Sequence, residues 1–225
     1  MKIEKKYLLK GAKEATGLTV IIDVFRAFST ACYLYDCGVK TIIPTDSINF
    51  AYKYRDENEN VILVGERKGE MINKFDYGNS PCRLKNLNLE GKIAVLSTSS
   101  GTKGLVNANN ADQIISGSFV NAKAIARYIK DESPEVVSLV AMGTGGGIER
   151  AEEDDLLADY IECLLLGRDF DLDLVKHTLR FGSGKRFFDP SQTHSPIGDF
   201  NSCLEFNKYD FILKYEGIYL NKYEI

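Results

Sequence analysis

Tryptophan is absent from this 225-residue chain, which holds only two histidines and five prolines. The five cysteines (Cys32, Cys37, Cys82, Cys163, Cys203) form no C-x-x-C pair, and with so few imidazoles this argues against a zinc site of soft ligands. Their odd, scattered set also argues against a disulfide framework and fits free thiols in a reducing cytoplasm. No run approaches the roughly 18 apolar residues of a membrane span. Residues 1–16 are rich in lysine but lack the apolar stretch of a signal peptide. Lys and Arg number 28 against 32 Asp and Glu, a net charge of −4, so no overall basic field is present to grip nucleic acid or an anionic membrane. A small anionic molecule is the expected partner, and local features must hold it.

What is present is ordinary globular composition, 44% hydrophobic and 27% charged. Runs rich in β-branched residues at 18–24, 41–44, 61–65, 93–97, 113–116 and 136–142 alternate with segments of helical period at 27–37, 47–57, 101–109, 121–130 and 152–166. This alternation predicts an α/β fold, three α/β/α layers around a mostly parallel sheet. A helix is expected after Asp171, and the aromatic-rich end, 209–225, reads as paired strands that make the sheet partly mixed. An exposed strand edge there would suit a homodimer, while core packing is the other fate of such residues. The chain is read as one domain, 1–225, with 115–135 as the place where an internal subdivision would fall.

In open α/β sheets, ligands bind beyond the carboxyl ends of the strands. Asp23 and Arg26 follow one predicted strand, and Glu66 and Arg67 follow another. Each pair reads either as an ordinary ion pair or as hard oxygen ligands for Mg²⁺ beside planar forks for an oxyanion. Ser97, Thr98, Ser99, Ser100, Gly101 and Thr102 precede a helix, where Ser99 or Ser100 would suffice as a cap and the whole cluster would make an anion site. The run from Glu152 to Asp155 suits the positive end of a helix, and one or two of its carboxylates are candidates to reach a metal. The glycines from 143 to 147 lack the G-x-x-x-x-G-K-[ST] cradle and read as a turn. No Gly-x-Ser-x-Gly elbow is present, and His177, His194 and Cys82 read first as packed, surface or inert groups.

Taken together, Asp23-Val24-Phe25-Arg26-Ala27, Gly65-Glu66-Arg67, Phe75-Asp76-Tyr77-Gly78-Asn79-Ser80-Pro81, Ser97 to Thr102, and Glu153-Asp154-Asp155-Leu156 resemble, in order and spacing, the 2-phosphosulfolactate phosphatases. The resemblance implies an Mg²⁺-dependent hydrolase that releases phosphate from 2-phospho-3-sulfolactate, a step of coenzyme M biosynthesis, on an α/β/α fold. Asp23, Arg26, Glu66 and Arg67 are then the catalytic candidates. Asn79 and the six residues Ser97 to Thr102 are the substrate contacts, and Asp23, Glu66, Asp76, Glu153 and Asp154 the metal ligands. The chain departs from the family pattern in the serines at 97, 99 and 100 and in a bulkier Phe28-Ser29-Thr30. Water and an aspartyl-phosphate on Asp23 are both open as the route, with the lack of an Asp-x-Asp pair at Asp23 favouring water. A transferase or lyase on another phosphorylated 2-hydroxy acid, and a non-enzymatic sulfonate or phosphate sensor, are the competing functions. So many carboxylates around a simple anion site would be electrostatically costly, which weighs against the sensor.

Overall fold

Ten strands and nine helices make up the chain, all of whose residues, 1–225, are described by a computed structural model. The strands are β1 (Lys2–Tyr7), β2 (Gly17–Ile22), β3 (Thr41–Pro44), β4 (Val61–Arg67), β5 (Glu70–Met71), β6 (Ile93–Ser97), β7 (Ala111–Gly117), β8 (Val136–Ala141), β9 (Phe211–Glu216) and β10 (Tyr219–Glu224). The helices are α1 (Leu8–Lys13), α2 (Ala27–Asp36), α3 (Ile48–Glu57), α4 (Pro81–Leu84), α5 (Gly101–Asn107), α6 (Ala122–Glu132), α7 (Glu152–Leu166), α8 (Leu172–Phe181) and α9 (Ile197–Cys203). Local chemistry sets several ends. Ser47 caps α3 by accepting the Phe50 N–H at 3.2 Å, Asp171 caps α8 through Leu174 N–H at 2.9 Å, and Gly167 closes α7 in the left-handed region at φ 67°.

One sheet holds all the strands in the order β1-β8-β2-β7-β9-β10-β3-β6-β4-β5. It consists of two parallel leaves joined by an antiparallel hairpin. In the first leaf Val20 of β2 lies between Ile115 of β7 and Leu139 of β8; in the second, Val95 of β6 lies between Ile43 of β3 and Leu63 of β4. The β9–β10 hairpin joins β7 on one side and meets β3 through the single register pair Leu220↔Ile42 on the other. The expected antiparallel tail is therefore present, but the sheet encloses it. β9 pairs with β7 at three positions and β10 with β3 at one, so the hairpin is an internal part of the sheet and not its edge. The lysine-rich start forms β1 beside β8, an edge strand on which charged side chains are at home.

Alternation along the strands distributes side chains between the layers. Leu18, Val20 and Ile22 enter a core with Phe119, Ile125 and Ile161 of the α6–α7 layer, whereas Ile21 faces a second core with Phe28 and Leu34 of α2. Ile62 and Val64 join that second core from the other leaf, while Leu63 packs with Ile43, Ala51 and Phe75 on the opposite face. β2 is buried from Leu18 to Ile22, as a parallel strand covered on both faces must be. No helix is long and apolar enough to cross a membrane.

Candidate active site

The carboxyl ends of the two leaves open onto one cavity of about 700 Å³. The first leaf contributes the turn after β2 (Asp23, Phe25, Arg26) and the glycine turn after β8; the second contributes Asp46, Glu66 and the loop after β6. Of the residues singled out in the sequence, Asp23, Arg26, Glu66, Arg67, Asn79, Thr98, Ser99 and Ser100 reach the wall. Lys68, Lys103 and Arg186 join them unforeseen. Five cationic side chains then face three carboxylates, a local positive balance in a chain of net charge −4.

The hydroxyl-rich loop works differently from either sequence reading. Ser100 stands at the start of α5 without a side-chain capping bond, and the cap is instead reciprocal: Thr98 Oγ1 accepts the Thr102 N–H at 3.2 Å while Thr102 Oγ1 accepts the Thr98 N–H at 3.0 Å. The Ser99 N–H does not wait for a ligand; it donates to Glu66 Oε1 at 2.7 Å. Glu66 Oε2 takes the Gly69 N–H at 2.7 Å and Ser99 Oγ at 3.2 Å. Gly101 lets the loop close on Asp23, since a Cβ there would lie 2.8 Å from both Asp23 Oδ2 and Ala27 Cβ. Ser97 and Thr102 sit behind the wall, each bonding the Thr45 carbonyl.

Asp23 Oδ1 accepts the Ala27 N–H at 3.0 Å, in a turn whose Phe25–Arg26 peptide is cis. Burial pushes its carboxyl up to about 7 against the Ala27 bond, with the charges of Glu66 and Glu153 adding to the rise. Arg26 is held by a buried ion pair, Nη1 to Asp199 Oδ2 at 2.6 Å, with the carbonyls of His194 (2.8 Å) and Gly69 (3.2 Å) as further acceptors. Asp199 Oδ1 in turn accepts Ser80 Oγ at 2.8 Å and the Cys82 N–H at 3.0 Å. Arg67 donates to the carbonyls of Glu66 and Asp46 and to Ser97 Oγ, and burial lowers its pKa.

Three expected metal ligands stand off the wall. Asp76 Oδ2 takes the Leu63 N–H at 2.7 Å and so secures the segment that returns to β4. Asp154 clamps two strand ends, Oδ1 to the Val24 N–H and Oδ2 to the Gly143 N–H, both at 2.8 Å. Glu153 is buried behind the site with Oε2 unpartnered; burial raises its pKa and that of Asp154. No three Asp, Glu, His or Cys side chains converge to form a metal cage. A magnesium ion needs less, because it keeps waters and is commonly held by one or two carboxylates plus substrate phosphate. Asp23 and Glu66 fit that demand. Asn79 Oδ1, a buried oxygen on the same wall with no hydrogen-bond partner, adds a third hard donor.

His194 lines the cavity, whereas His177 packs at a tilt against Phe181 in α8, ring centres 5.0 Å apart. The Cys82 thiol, pushed up to about 11 by burial and then by Asp199, stands off the cavity wall. Lys103 lies one residue beyond the hydroxyl run and Lys68 beside Arg67, so both were within reach of sequence reasoning. Arg186 and Asp199 come from the irregular 182–203 region, where no periodicity marks them.

Fold and cavity define an α/β protein that gathers five cationic side chains and the fixed carboxylates of Asp23 and Glu66 around one cavity. The family model described as 2-phosphosulpholactate phosphatase matches residues 4–217, and the chain belongs to that family. A probable 2-phosphosulfolactate phosphatase of Clostridium perfringens (strain 13 / Type A) is 38% identical over 148 residues, 64% of this chain and 59% of that relative. One from Caldicellulosiruptor saccharolyticus is 38% identical over 170 residues (71% and 69%), and one from Thermoplasma volcanium 27% identical over 214 residues (94% and 96%). The match thus spans about three-fifths of the length of the Clostridium perfringens relative.

Proposed function

We propose that the protein hydrolyses the phosphate ester of 2-phospho-3-sulfolactate, with Mg²⁺ as cofactor, to 3-sulfolactate and inorganic phosphate. The observation that carries this reading is the pairing of Asp23 with Glu66 across the two leaves, in one cavity whose other charged groups are cationic apart from Asp46. The family and the names of its relatives supply the substrate. Asp23 and Glu66, with Asn79, would hold the ion, which when bound offsets charge on the phosphoryl oxygens as a Lewis acid. Arg67 and Lys103 grip the phosphoryl group. Asp23 is placed to orient a water and take its proton; the water oxygen bonds to phosphorus, the ester P–O bond breaks, and that proton passes on to the leaving alkoxide.

The reading extends to a cytoplasmic homodimer supplying sulfolactate for coenzyme M biosynthesis. Free thiols support the compartment and the prevalence of two-fold symmetric assemblies supports the dimer, which light scattering tests. The activity is tested by phosphate release from 2-phosphosulfolactate and from phosphorylated 2-hydroxy acids without the sulfonate, with Mg²⁺ and with EDTA. Mg²⁺-dependent release favouring the sulfonated ester is the expected result. Release from none of them by folded protein in Mg²⁺ overturns the proposal.

A further inference from the structure

Arg186, in the 3₁₀ turn Ser183–Phe188, is the cation on the cavity wall that is both braced and free. Its Nη2 donates to the Phe25 carbonyl at 3.2 Å, and the Phe187 and Phe25 rings lie 5.1 and 6.0 Å from its Cζ. No carboxylate pairs with it, which leaves four of its five N–H donors unclaimed. The other cations differ. Arg26 is neutralised by Asp199, Arg67 has three donors committed, Lys103 rests 3.5 Å from the Gly146 carbonyl, and Lys68 is exposed without a partner.

Resting on the phosphatase reading above, we propose that Arg186 receives the sulfonate of the substrate and sets the preference for sulfonated over plain 2-phospho acids. The carboxylate shares its carbon with the phosphate ester and therefore stays beside the reacting group. The sulfonate is one carbon further out, and Arg186 reaches the wall from the 183–188 turn rather than from the strand ends that carry Asp23 and Glu66. A planar fork takes two of its oxygens at once, and a weakly hydrated guanidinium beside the packed Phe25–Phe187 pair loses little solvation in doing so. The competing role for Arg186, offsetting the charge of buried Glu153, would affect every substrate alike.

The test compares kcat/KM for wild type, Arg186→Gln and Arg186→Lys on three esters: 2-phosphosulfolactate, 2-phospholactate (carboxylate only) and O-phosphoisethionate (sulfonate only). Arg186→Gln is expected to lose about 10- to 100-fold on both sulfonated esters and less than about twofold on phospholactate, with Lys restoring part of the loss. Equal loss on all three, no loss, or a loss that follows the carboxylate overturns the proposal. A wild type that turns over none of them refutes the phosphatase reading instead, and calorimetry then decides Arg186. Tighter binding of sulfolactate than of lactate, with the difference abolished in Arg186→Gln, upholds the sulfonate site; no difference in wild type, or one that Arg186→Gln leaves intact, overturns it. Arg186 is only half-buried, and circular dichroism confirms that the variants fold.

Discussion

Glu66 Oε1 accepts the backbone N–H of Ser99 at 2.7 Å, so this amide of the hydroxyl-rich loop is closed by the protein's own carboxylate. With Gly69 N–H and Ser99 Oγ on its other oxygen, Glu66 is a fixed part of the wall rather than a mobile arm. Glu66→Gln keeps the shape but sets an NH₂ group against an N–H donor. Phosphate release should fall by about 100-fold or more and stability by about 1–3 kcal/mol. Turnover within about twofold of wild type would show that Glu66 only ties down the loop.

Gly101 tests the same geometry sterically. A Cβ at this position meets Asp23 Oδ2 and Ala27 Cβ at 2.8 Å, and neither the buried turn nor the helix behind it has room to give. Gly101→Ala should lower turnover by about tenfold or more and destabilise by about 1–3 kcal/mol. Full activity in this variant would mean that the contact between loop and Asp23 is dispensable.

The raised pKa of Asp23 has a defined sign in stability. Its native value of about 7 lies above the ordinary 3.8, so the stability it contributes is complete below that ordinary value and is lost as pH rises through the native one. Asp23→Asn removes this loss and keeps an acceptor for the Ala27 N–H. In the absence of divalent cations, the variant should melt with wild type near about pH 3.5 and increasingly above it as pH rises to about 8. A Tm difference that does not change with pH would show that Asp23 titrates as an ordinary exposed carboxylate.

Asp199 balances Arg26 from complete burial. Truncating one partner of such a pair leaves the other charge uncompensated, so Asp199→Ala should cost about 3–5 kcal/mol in chemical denaturation. A cost below about 1 kcal/mol would mean that solvent reaches the pair.

The sequence reveals most where a residue's role depends on its own neighbours. The 93–97 strand and the 152–166 helix have the ends expected from their patterning, and Asp23, just after β2, and Glu66, at the carboxyl end of β4, reach one wall because both strands run parallel to their neighbours in the leaves. What depends on distant partners was not legible. Leu220 meeting Ile42 places the tail hairpin inside the sheet, a long-range pairing that no local pattern announces. Asp154 reads as a ligand from its position after a strand, yet it stands behind the cavity wall, where it ties the backbone amides of Val24 and Gly143 together. Arg186 and Asp199 lie in a stretch punctuated by Gly, Ser and Pro, where only the folded chain shows what they face.

The most direct test of the Mg²⁺-assisted hydrolysis proposed for this cavity is phosphate release from 2-phosphosulfolactate by wild type and Asp23→Asn, measured side by side in Mg²⁺ and in EDTA. The account predicts release by wild type in Mg²⁺ alone. Release at the wild-type rate by Asp23→Asn, or by wild type in EDTA, would contradict it.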